Sequence, residues 1–494
     1  MEAFRSPIIL SCVGLYMFLC IIIGIWALKR TKSTQDFFMA GRDLGIAVTA
    51  FAVFSSTLSG FGFVGGPGLV YRMGMSSVWM IVCVIAGFTL SFYLLGKRLR
   101  LFAELGNSIS LPDVVALRYG AKSTQLMTAI AILLGVLGYL ATQILAMSVV
   151  LRDILLETSY FSSISLESCL IISCSILVFY SVTGGIVASV YTDLIQGGVM
   201  IVAAILVFLT VINTFDGGFT EISSTIYADD PEAIGPWGTL GMIGCLSWFF
   251  VFGLGASGQP HVITKMMMNK RIADAKHILP VSATGYILAA LLWISIGLAM
   301  RALVLSGQHP ELAHADAAAP QFLQNYAHPL LAGVVFAGLF AAIMSTADSF
   351  LNIGTAAVMH DIPKALGFKK PKNELWWARF TTVLITVFAA VFALYTGDLV
   401  AILGAFGWGT FAAAIVPTVA IGFNWKRATP LAANVAIASS LVVNFVIKMF
   451  KIALPYGIDV GAFSLIISLI LFLSISFASS PPSIDPKVAE VMDM

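Results

Sequence analysis

The chain has 494 residues, of which 59% are hydrophobic and only 11% charged, and its mean hydropathy is +0.96. These values exclude a soluble globular domain of ordinary composition, and repeated apolar runs of about 20 residues exclude a β-barrel, whose strands are ~10-residue alternating segments. The sequence therefore predicts an all-α polytopic membrane protein whose partner is the lipid bilayer. A net charge of +2 gives no indication of a nucleic-acid partner.

Apolar runs along the chain predict about thirteen membrane-spanning helices. Most lysines and arginines fall in alternate loops, beginning after the first helix, whereas the loop 214–236 on the other side contains neither residue. The positive-inside rule then predicts that the N-terminus lies outside and the C-terminus inside the cell. The polar, proline-bearing tail is expected to be mobile. The predicted helices lie at 8–28, 46–71, 76–97, 122–152, 162–183, 187–213, 237–264, 276–303, 329–360, 376–396, 398–423, 428–448 and 459–479.

The second predicted helix carries a polar, glycine-rich stretch in the middle of its apolar run. Residues 50–71 read AFAVFSSTLSGFGFVGGPGLVY. Such a helix should break, and the freed carbonyls are tolerated only where they face protein, a watery cavity or a bound cation. The stretch therefore indicates a transport site. A close-packed helix crossing built on small residues is the alternative.

A second interrupted helix follows about half a chain later, at 250–261, FVFGLGASGQPH. Each break opens a set of five helices, and an odd number makes the two sets run in opposite directions, which predicts an inverted repeat. The predicted divisions are a peripheral N-terminal helix and cytoplasmic loop (1–45), the first inverted repeat (46–213), an acidic extracellular loop (214–236), the second inverted repeat (237–423), two peripheral helices (424–479) and a cytoplasmic tail (480–494).

Two carboxylates, Asp193 and Asp348, lie well inside predicted helices. A carboxylate in the membrane is costly unless it is paired or binds a cation, so both indicate a functional site; hydrogen bonding to a neighbouring helix is the alternative. No intramembrane lysine or arginine is an evident partner, so a cation or a proton is the expected neutraliser. Ser345, Asp348 and Ser349 share one helical face. Hydroxyl and carbonyl oxygens suit an alkali cation rather than zinc or copper, although such serines also bond back to their own helix.

Between the two breaks we predict a substrate pocket. Aromatic residues close to a break are its natural lining, and packing in the core is the alternative for each of them. The candidate substrate-binding residues are Ser59, Phe61, Gly62, Tyr139, Gln143, Phe252, Ala256 and Trp408.

Five motifs in combination resemble the sodium/solute symporter family, and its sodium/proline branch most of all. They are GRDLG at 41–45, SSTLSGFGFVGGPG at 55–68, TGGIVASVYTDLIQ at 183–196, GLGASGQPHVITKMM at 253–267 and AAIMSTADS at 341–349. The resemblance implies a five-plus-five inverted-repeat core, with the sodium ion as the only cofactor. Residue by residue, it implies sodium binding by the carbonyls of Ser55, Leu58 and Ala342 and the hydroxyls of Ser345 and Thr346, and a second cation or proton site at Asp193, Asp348 and Ser349.

The function implied by this resemblance is that of an inner-membrane symporter, not an enzyme. It would import a small organic solute, an amino acid such as proline or a monocarboxylate, by alternating access. Thr57 stands where the proline branch has an aspartate, and Ala256 where it has an aromatic residue, so a sugar, sialic acid or a vitamin such as pantothenate stays open. Proton-coupled uptake and a passive channel are competing functions. An intramembrane hydrolase with Ser59 as nucleophile is a third, for which the sequence offers no membrane histidine as base. The sequence predicts no oligomeric state.

Overall fold

A computed structural model of the protein describes residues 5–30, 38, 44–156, 161, 163–369, 371–396 and 400–494. Eleven helices in these ranges are long and apolar enough to cross a membrane. One of the eleven stretches, Ile46–Leu105, is 60 residues long, which is enough for two crossings. A shorter apolar helix, Leu166–Phe179, precedes the span Ser189–Thr214. The predicted all-α architecture is confirmed, and the described residues give eleven candidate spans where about thirteen helices were predicted. The side of the membrane on which each end lies stays a prediction, as do the domain boundaries.

The α-helices of the described chain follow one another along the sequence with few long connections. They are α1 (Arg5–Arg30), α2 (Ile46–Gly60), α3 (Gly66–Met73), α4 (Val78–Ser91), α5 (Lys97–Leu105), α6 (Leu111–Tyr119), α7 (Lys122–Leu156), α8 (Leu166–Thr214), α9 (Gly218–Asp229), α10 (Gly241–Trp248), α11 (Pro260–Met267), α12 (Ala275–Leu305), α13 (Ala318–Asn325), α14 (Pro329–Ala356), α15 (Ile362–Leu366), α16 (Glu374–Thr396), α17 (Val400–Ile415), α18 (Pro430–Met449), α19 (Val460–Ala478) and α20 (Pro486–Asp493).

Two predictions about these elements are wrong. The predicted helices 162–183 and 187–213 form one helix, α8, because the chain between them has no proline and the helical hydrogen bonding continues through it. The tail is not free of the bundle, since it ends in the short helix α20, which Asp485 caps and whose Val488 is buried. Arg98 donates a hydrogen bond to the Met492 carbonyl at 3.2 Å, which ties this helix to α5.

The interrupted helices lie at the centre of the bundle. The helix α14 packs against α8, α2 and α7, while α17 packs against α7 and the second break. Small residues allow these close approaches: a Cβ at Gly66 would lie 2.4 Å from the Trp293 ring, and one at Gly407 would lie 2.9 Å from the Tyr139 backbone nitrogen. Both interpretations of residues 50–71 therefore hold, because the helix is broken there and its small residues also allow close packing against other helices. The packing holds the first break against the two helices that carry the membrane acids, α8 and α14, and the second break against α17.

Candidate functional site

The first break lies at Ser59, in the last turn of α2. Ser59 has φ 38° and ψ −174°, a left-handed value that costs a non-glycine residue of order 1–3 kcal/mol. The freed donors are satisfied by side chains: Gln143 Oε1 accepts from the Gly60 N–H at 2.9 Å, and Ser59 Oγ accepts from the Phe61 N–H at 3.1 Å. A π-helical turn, Phe61–Gly65, then leads into α3. The predicted interruption is confirmed, and polar groups from α7 hold it.

The second break is longer. A π-helical turn, Phe249–Gly253, is followed by a 3₁₀ turn, Leu254–Gly258, and then by Gln259, whose backbone is extended. Pro260 begins α11, a position where its missing N–H costs nothing. Gln259 Nε2 donates to the Gly255 and Trp408 carbonyls at 3.1 and 3.0 Å, which fixes the break against α17.

The predicted sodium ligands lie on two helices that touch at the first break. Thr346 Oγ1 on α14 lies 3.0 Å from the Ser56 carbonyl oxygen of α2 and 3.0 Å from the Ala342 carbonyl oxygen of its own helix, and the two acceptors share its single hydrogen. Ser345 Oγ is 3.4 Å from the same Ala342 oxygen, so both hydroxyls do bond back to their own helix. Ser55 Oγ is buried and has no hydrogen-bond partner among the described residues. Hydroxyl oxygens of α14 and a backbone carbonyl oxygen of α2 therefore lie next to one another just before the first break.

The two membrane acids lie beside these ligands. Asp193 of α8 and Asp348 of α14 are 0% and 2% exposed, and their carboxylates are close enough for the charges to interact. Ser345, one of the predicted sodium ligands, faces Asp193. Within the described chain, neither oxygen of Asp193 accepts a hydrogen bond, and the same holds for Oδ2 of Asp348 and Oγ of Ser349. The site therefore contains buried oxygens with spare capacity for a cation or a proton.

The prediction that these acids have no intramembrane lysine or arginine partner is wrong. Lys265, on α11, has its Nζ 3.6 Å from Asp193 Oδ2, and the two side chains are 2% and 0% exposed. The prediction failed because the second interrupted helix was predicted to end at residue 264, one residue before Lys265. Since α11 begins only at Pro260, the lysine instead lies on a buried helix whose residues 260–267 all face protein.

Five of the eight predicted substrate-pocket residues lie together, namely Ser59, Phe61, Tyr139, Phe252 and Trp408. Phe61 stacks on Phe252 with ring centroids 6.0 Å apart, and Phe252 lies 5.6 Å from Trp408. Tyr139 joins them, 6.5 Å from Trp408 and within 3.2 Å, hydroxyl to hydroxyl, of Ser59. The rings thus pack against one another between the two breaks.

Three of the candidates contact this aromatic group only indirectly. Gln143 holds the first break, as described above, and Gly62 lies against Leu58 of its own helix, 3.3 Å from where a Cβ would stand. Ala256 packs against Gly87 of α4, since a Cβ added to Gly87 would lie 2.6 Å from the Ala256 methyl. Ala256 therefore contributes to the contact between the second break and α4.

Comparison with known protein families matches residues 37–442 to the Sodium:solute symporter family. The chain belongs to this family. Among similar proteins are the osmoregulated proline transporter OpuE of Bacillus subtilis, 26% identical over 96% of both chains, and the sodium/proline symporter of Escherichia coli, 28% identical over 91% of this chain and 88% of that one. The predicted resemblance is confirmed, and with it sodium-coupled solute symport by a multi-pass membrane protein. Sodium acts as the coupling ion rather than as a resident cofactor.

Solved structures give the same fold. A Na⁺-coupled sialic acid symporter in a substrate-bound outward-open state has a TM-score of 0.76 at 21% identity, covering 97% of this chain and 99% of that one. The nucleobase-cation-symport-1 family transporter Mhp1, in a closed conformation, has a TM-score of 0.58 at 14% identity, covering 92% and 98%. At these identities the likeness shows the fold alone.

Two buried side chains of the symporter were not among the predicted site residues, Lys265 and His261. They are four residues apart on α11, so they share one face of that helix. His261 is 1% exposed, and its ring lies 4.7 Å from the Phe350 ring and 5.9 Å from the Trp408 ring. The signal that could have found both is the helix start at Pro260, because a helix beginning there carries its first two turns inside the bundle.

A second buried acid group, the α6 cluster, consists of Asp113, His360, Asp361 and Lys364. Asp113 Oδ1 accepts from Lys364 Nζ at 2.7 Å and from Gln125 Nε2 at 3.0 Å, and its Oδ2 is 2.9 Å from His360 Nε2. Burial raises the pKa of the Asp113 carboxyl, but the hydrogen bonds and charges of His360 and Lys364 outweigh it and lower this pKa to about 2.

The α6 cluster also has the composition of a metal site, because ligand atoms of Asp113, His360 and Asp361 lie within 4.8 Å of one another. The Lys364 ammonium on Asp113 opposes a cation there, and Ser110 Oγ already donates to Asp361 Oδ1 at 2.5 Å. We interpret the cluster as a structural link between α6 and the segment that follows α14. Ser110 and Asp361 line a small cavity together with Lys265 and Ser349, so the α6 cluster lies near the residues that surround the membrane acids.

Proposed function

We propose that the symporter imports a small zwitterionic amino acid, with proline as the first candidate, together with sodium. The similarity to proline transporters extends over nearly the whole chain. A second support is the aromatic group between the breaks, because a small apolar ring would pack well against the faces of Phe252 and Trp408. The substrate carboxylate would bind at the N-terminal end of α11, where the helix dipole is positive.

The sodium ion of this proposal binds where α2 and α14 touch. The observation that carries the assignment is the hydrogen bond from Thr346 Oγ1 to the Ser56 carbonyl, which brings the hydroxyl face of α14 against the backbone of the first break. Hard oxygen donors of this kind suit a dehydrated alkali cation. The ligands are the carbonyls of Ser55, Leu58 and Ala342 and the hydroxyls of Ser345 and Thr346. Asp193, Asp348 and Ser349 form the second cation or proton group of the proposal.

Membership of a transporter family sets the hydrolase function aside, and the contacts of Ser59 support this. The sequence argument against a hydrolase, that no histidine lies in the membrane, does not hold, because His261 is buried in α11. However, Ser59 Oγ lies within hydrogen-bond distance of the Tyr139 hydroxyl and accepts from the Phe61 N–H. Neither group is a base that could activate a nucleophile.

The test is uptake by the purified protein in proteoliposomes with an inward sodium gradient. We expect radiolabelled proline to enter with saturable kinetics, and to stop entering when potassium or choline replaces sodium outside. A panel of further amino acids, acetate, lactate, glucose, sialic acid and pantothenate checks the substrate class, since Thr57 and Ala256 depart from the proline branch. Uptake without saturation, or uptake indifferent to the sodium gradient, would contradict the proposal.

A further inference from the structure

Lys265 makes the contacts that a bound cation would make. Its Nζ donates to the Ala52 carbonyl at 2.7 Å and to Ser56 Oγ at 2.6 Å, and lies 3.6 Å from Asp193 Oδ2. Carbonyl, hydroxyl and carboxylate oxygens are the same ligand types that bind an alkali ion. The ammonium therefore joins α11, α2 and α8 in the way that an ion shared by three helices would.

Burying an ammonium group costs desolvation free energy, so an opposite charge must lie nearby to offset it. Lys265 is 1% exposed, and the charged or titratable side chains that interact with it are Asp193, Asp348 and His261. An uncompensated charge in the membrane interior is strongly unfavourable. Asp193, the nearest carboxylate, is the counterpart that the geometry provides.

The charges of the site favour a single sodium ion. We define the interior cluster as Asp193, Asp348 and Lys265. Two carboxylates and one ammonium leave one negative charge, and one sodium ion at the adjoining α2/α14 site would neutralise it. A second sodium ion would leave a net positive charge beside a fixed ammonium, in a medium where like charges repel strongly.

We propose that the Lys265 ammonium is a tethered cation that takes the place of a second sodium ion at Asp193, and so limits the symporter to one sodium ion per chain. Lys265 is thereby the residue that determines the ion stoichiometry. The inference rests on the proposed sodium site at α2 and α14. It differs from that proposal in naming which cation neutralises Asp193.

The experiment is equilibrium binding of ²²Na⁺ to the purified full-length protein, which needs no transported substrate. We expect one ion per chain for the wild type and two for Lys265→Met, because the vacated Asp193 carboxylate then accepts sodium. Lys265→Arg, which keeps the positive charge, should bind one ion. The double variant Lys265→Met/Asp193→Asn should also bind one, since charge and counter-charge are removed together.

Two outcomes would overturn the inference: a wild type that binds two ions, or a monodisperse Lys265→Met protein that still binds one. The wild-type count tests the inference even if Lys265→Met fails to fold, and the double variant tests it without leaving an unpaired charge. A different result is expected if the proposed sodium site itself is wrong. The wild type would then bind no sodium, or Thr346→Ala would bind sodium as tightly as the wild type.

Discussion

The interior cluster and the α6 cluster are both groups of buried acids with a lysine beside them, yet their hydrogen bonding differs. In the α6 cluster, Asp113 receives hydrogen bonds from Lys364 and Gln125 on one oxygen and contacts His360 with the other, all within 3.0 Å. In the interior cluster, the nearest charged donor to Asp193 is 3.6 Å away, and neither carboxylate oxygen accepts a hydrogen bond from the described residues.

The difference separates an acid that is fully used in structural hydrogen bonds from one whose charge remains available to balance cations, whether Lys265 or sodium. A carboxylate whose lone pairs are already used by fixed donors contributes to stability and has little capacity left for a passing cation. A carboxylate short of donors keeps that capacity, and the membrane interior makes it costly to leave unused. We therefore expect substitutions in the two clusters to affect different measurements.

The largest effect is expected for Asp193→Asn. This change leaves the Lys265 ammonium without its counter-charge and next to the proposed sodium site, so sodium should be repelled. We expect the sodium concentration for half-maximal uptake to rise at least tenfold, which corresponds to about 1.4 kcal/mol of sodium binding. Uptake in proteoliposomes at graded sodium concentrations measures it. An unchanged sodium dependence would assign Asp193 to structure, as in the α6 cluster.

Asp113→Asn should instead reduce stability and leave sodium dependence alone. It removes the charge from a buried hydrogen-bonded group, which costs about 2 kcal/mol. We expect the thermal unfolding midpoint in detergent to fall by a few degrees. Glu104→Gln is the control, because Glu104 is an exposed acid whose pair with Arg100 is worth little. If Asp113→Asn changed the sodium dependence and kept the stability, the distinction between the clusters would fail.

A smaller effect concerns pH. The pKa of Asp113 is lowered to about 2 in the folded protein, against 3.8 for an ordinary aspartate. The stability it contributes is therefore fully present above about pH 4 and is lost as pH falls towards 2. The difference in unfolding midpoint between wild type and Asp113→Asn should be smaller at pH 3 than at pH 5. An equal difference at pH 3 and pH 5 would contradict a lowered pKa for Asp113.

Much of the fold could be predicted because its determinants are local. Apolar runs of membrane length give the spans, and serine, glycine and proline inside such a run give the two breaks, since these residues disturb helical hydrogen bonding wherever the chain lies. The membrane acids were found in the same way, because a charge in an apolar run is conspicuous at Asp193 and Asp348. Each of these signals is read within about twenty residues.

The unpredicted features depend on distant contacts. The burial of Lys265 depends on where α11 begins after the second break and on which helices surround it. Its position in the sequence, five residues after a proline, does not indicate that burial. The α6 cluster joins residues about 250 apart in the chain, Asp113 with His360 and Lys364. The docking of the tail on α5 likewise depends on Arg98 meeting the Met492 carbonyl.

The sodium dependence of uptake by Thr346→Ala, compared with Thr355→Ala, tests the central claim most directly. Both threonines are buried on α14 and both reach another helix, but Thr346 bonds to the Ser56 carbonyl at the break while Thr355 pairs with Thr382 Oγ1 on α16. We expect Thr346→Ala to raise the half-maximal sodium concentration about tenfold, since one hard oxygen ligand is lost, and Thr355→Ala to leave it unchanged. Equal sodium dependence in the two variants would contradict a sodium site between α2 and α14.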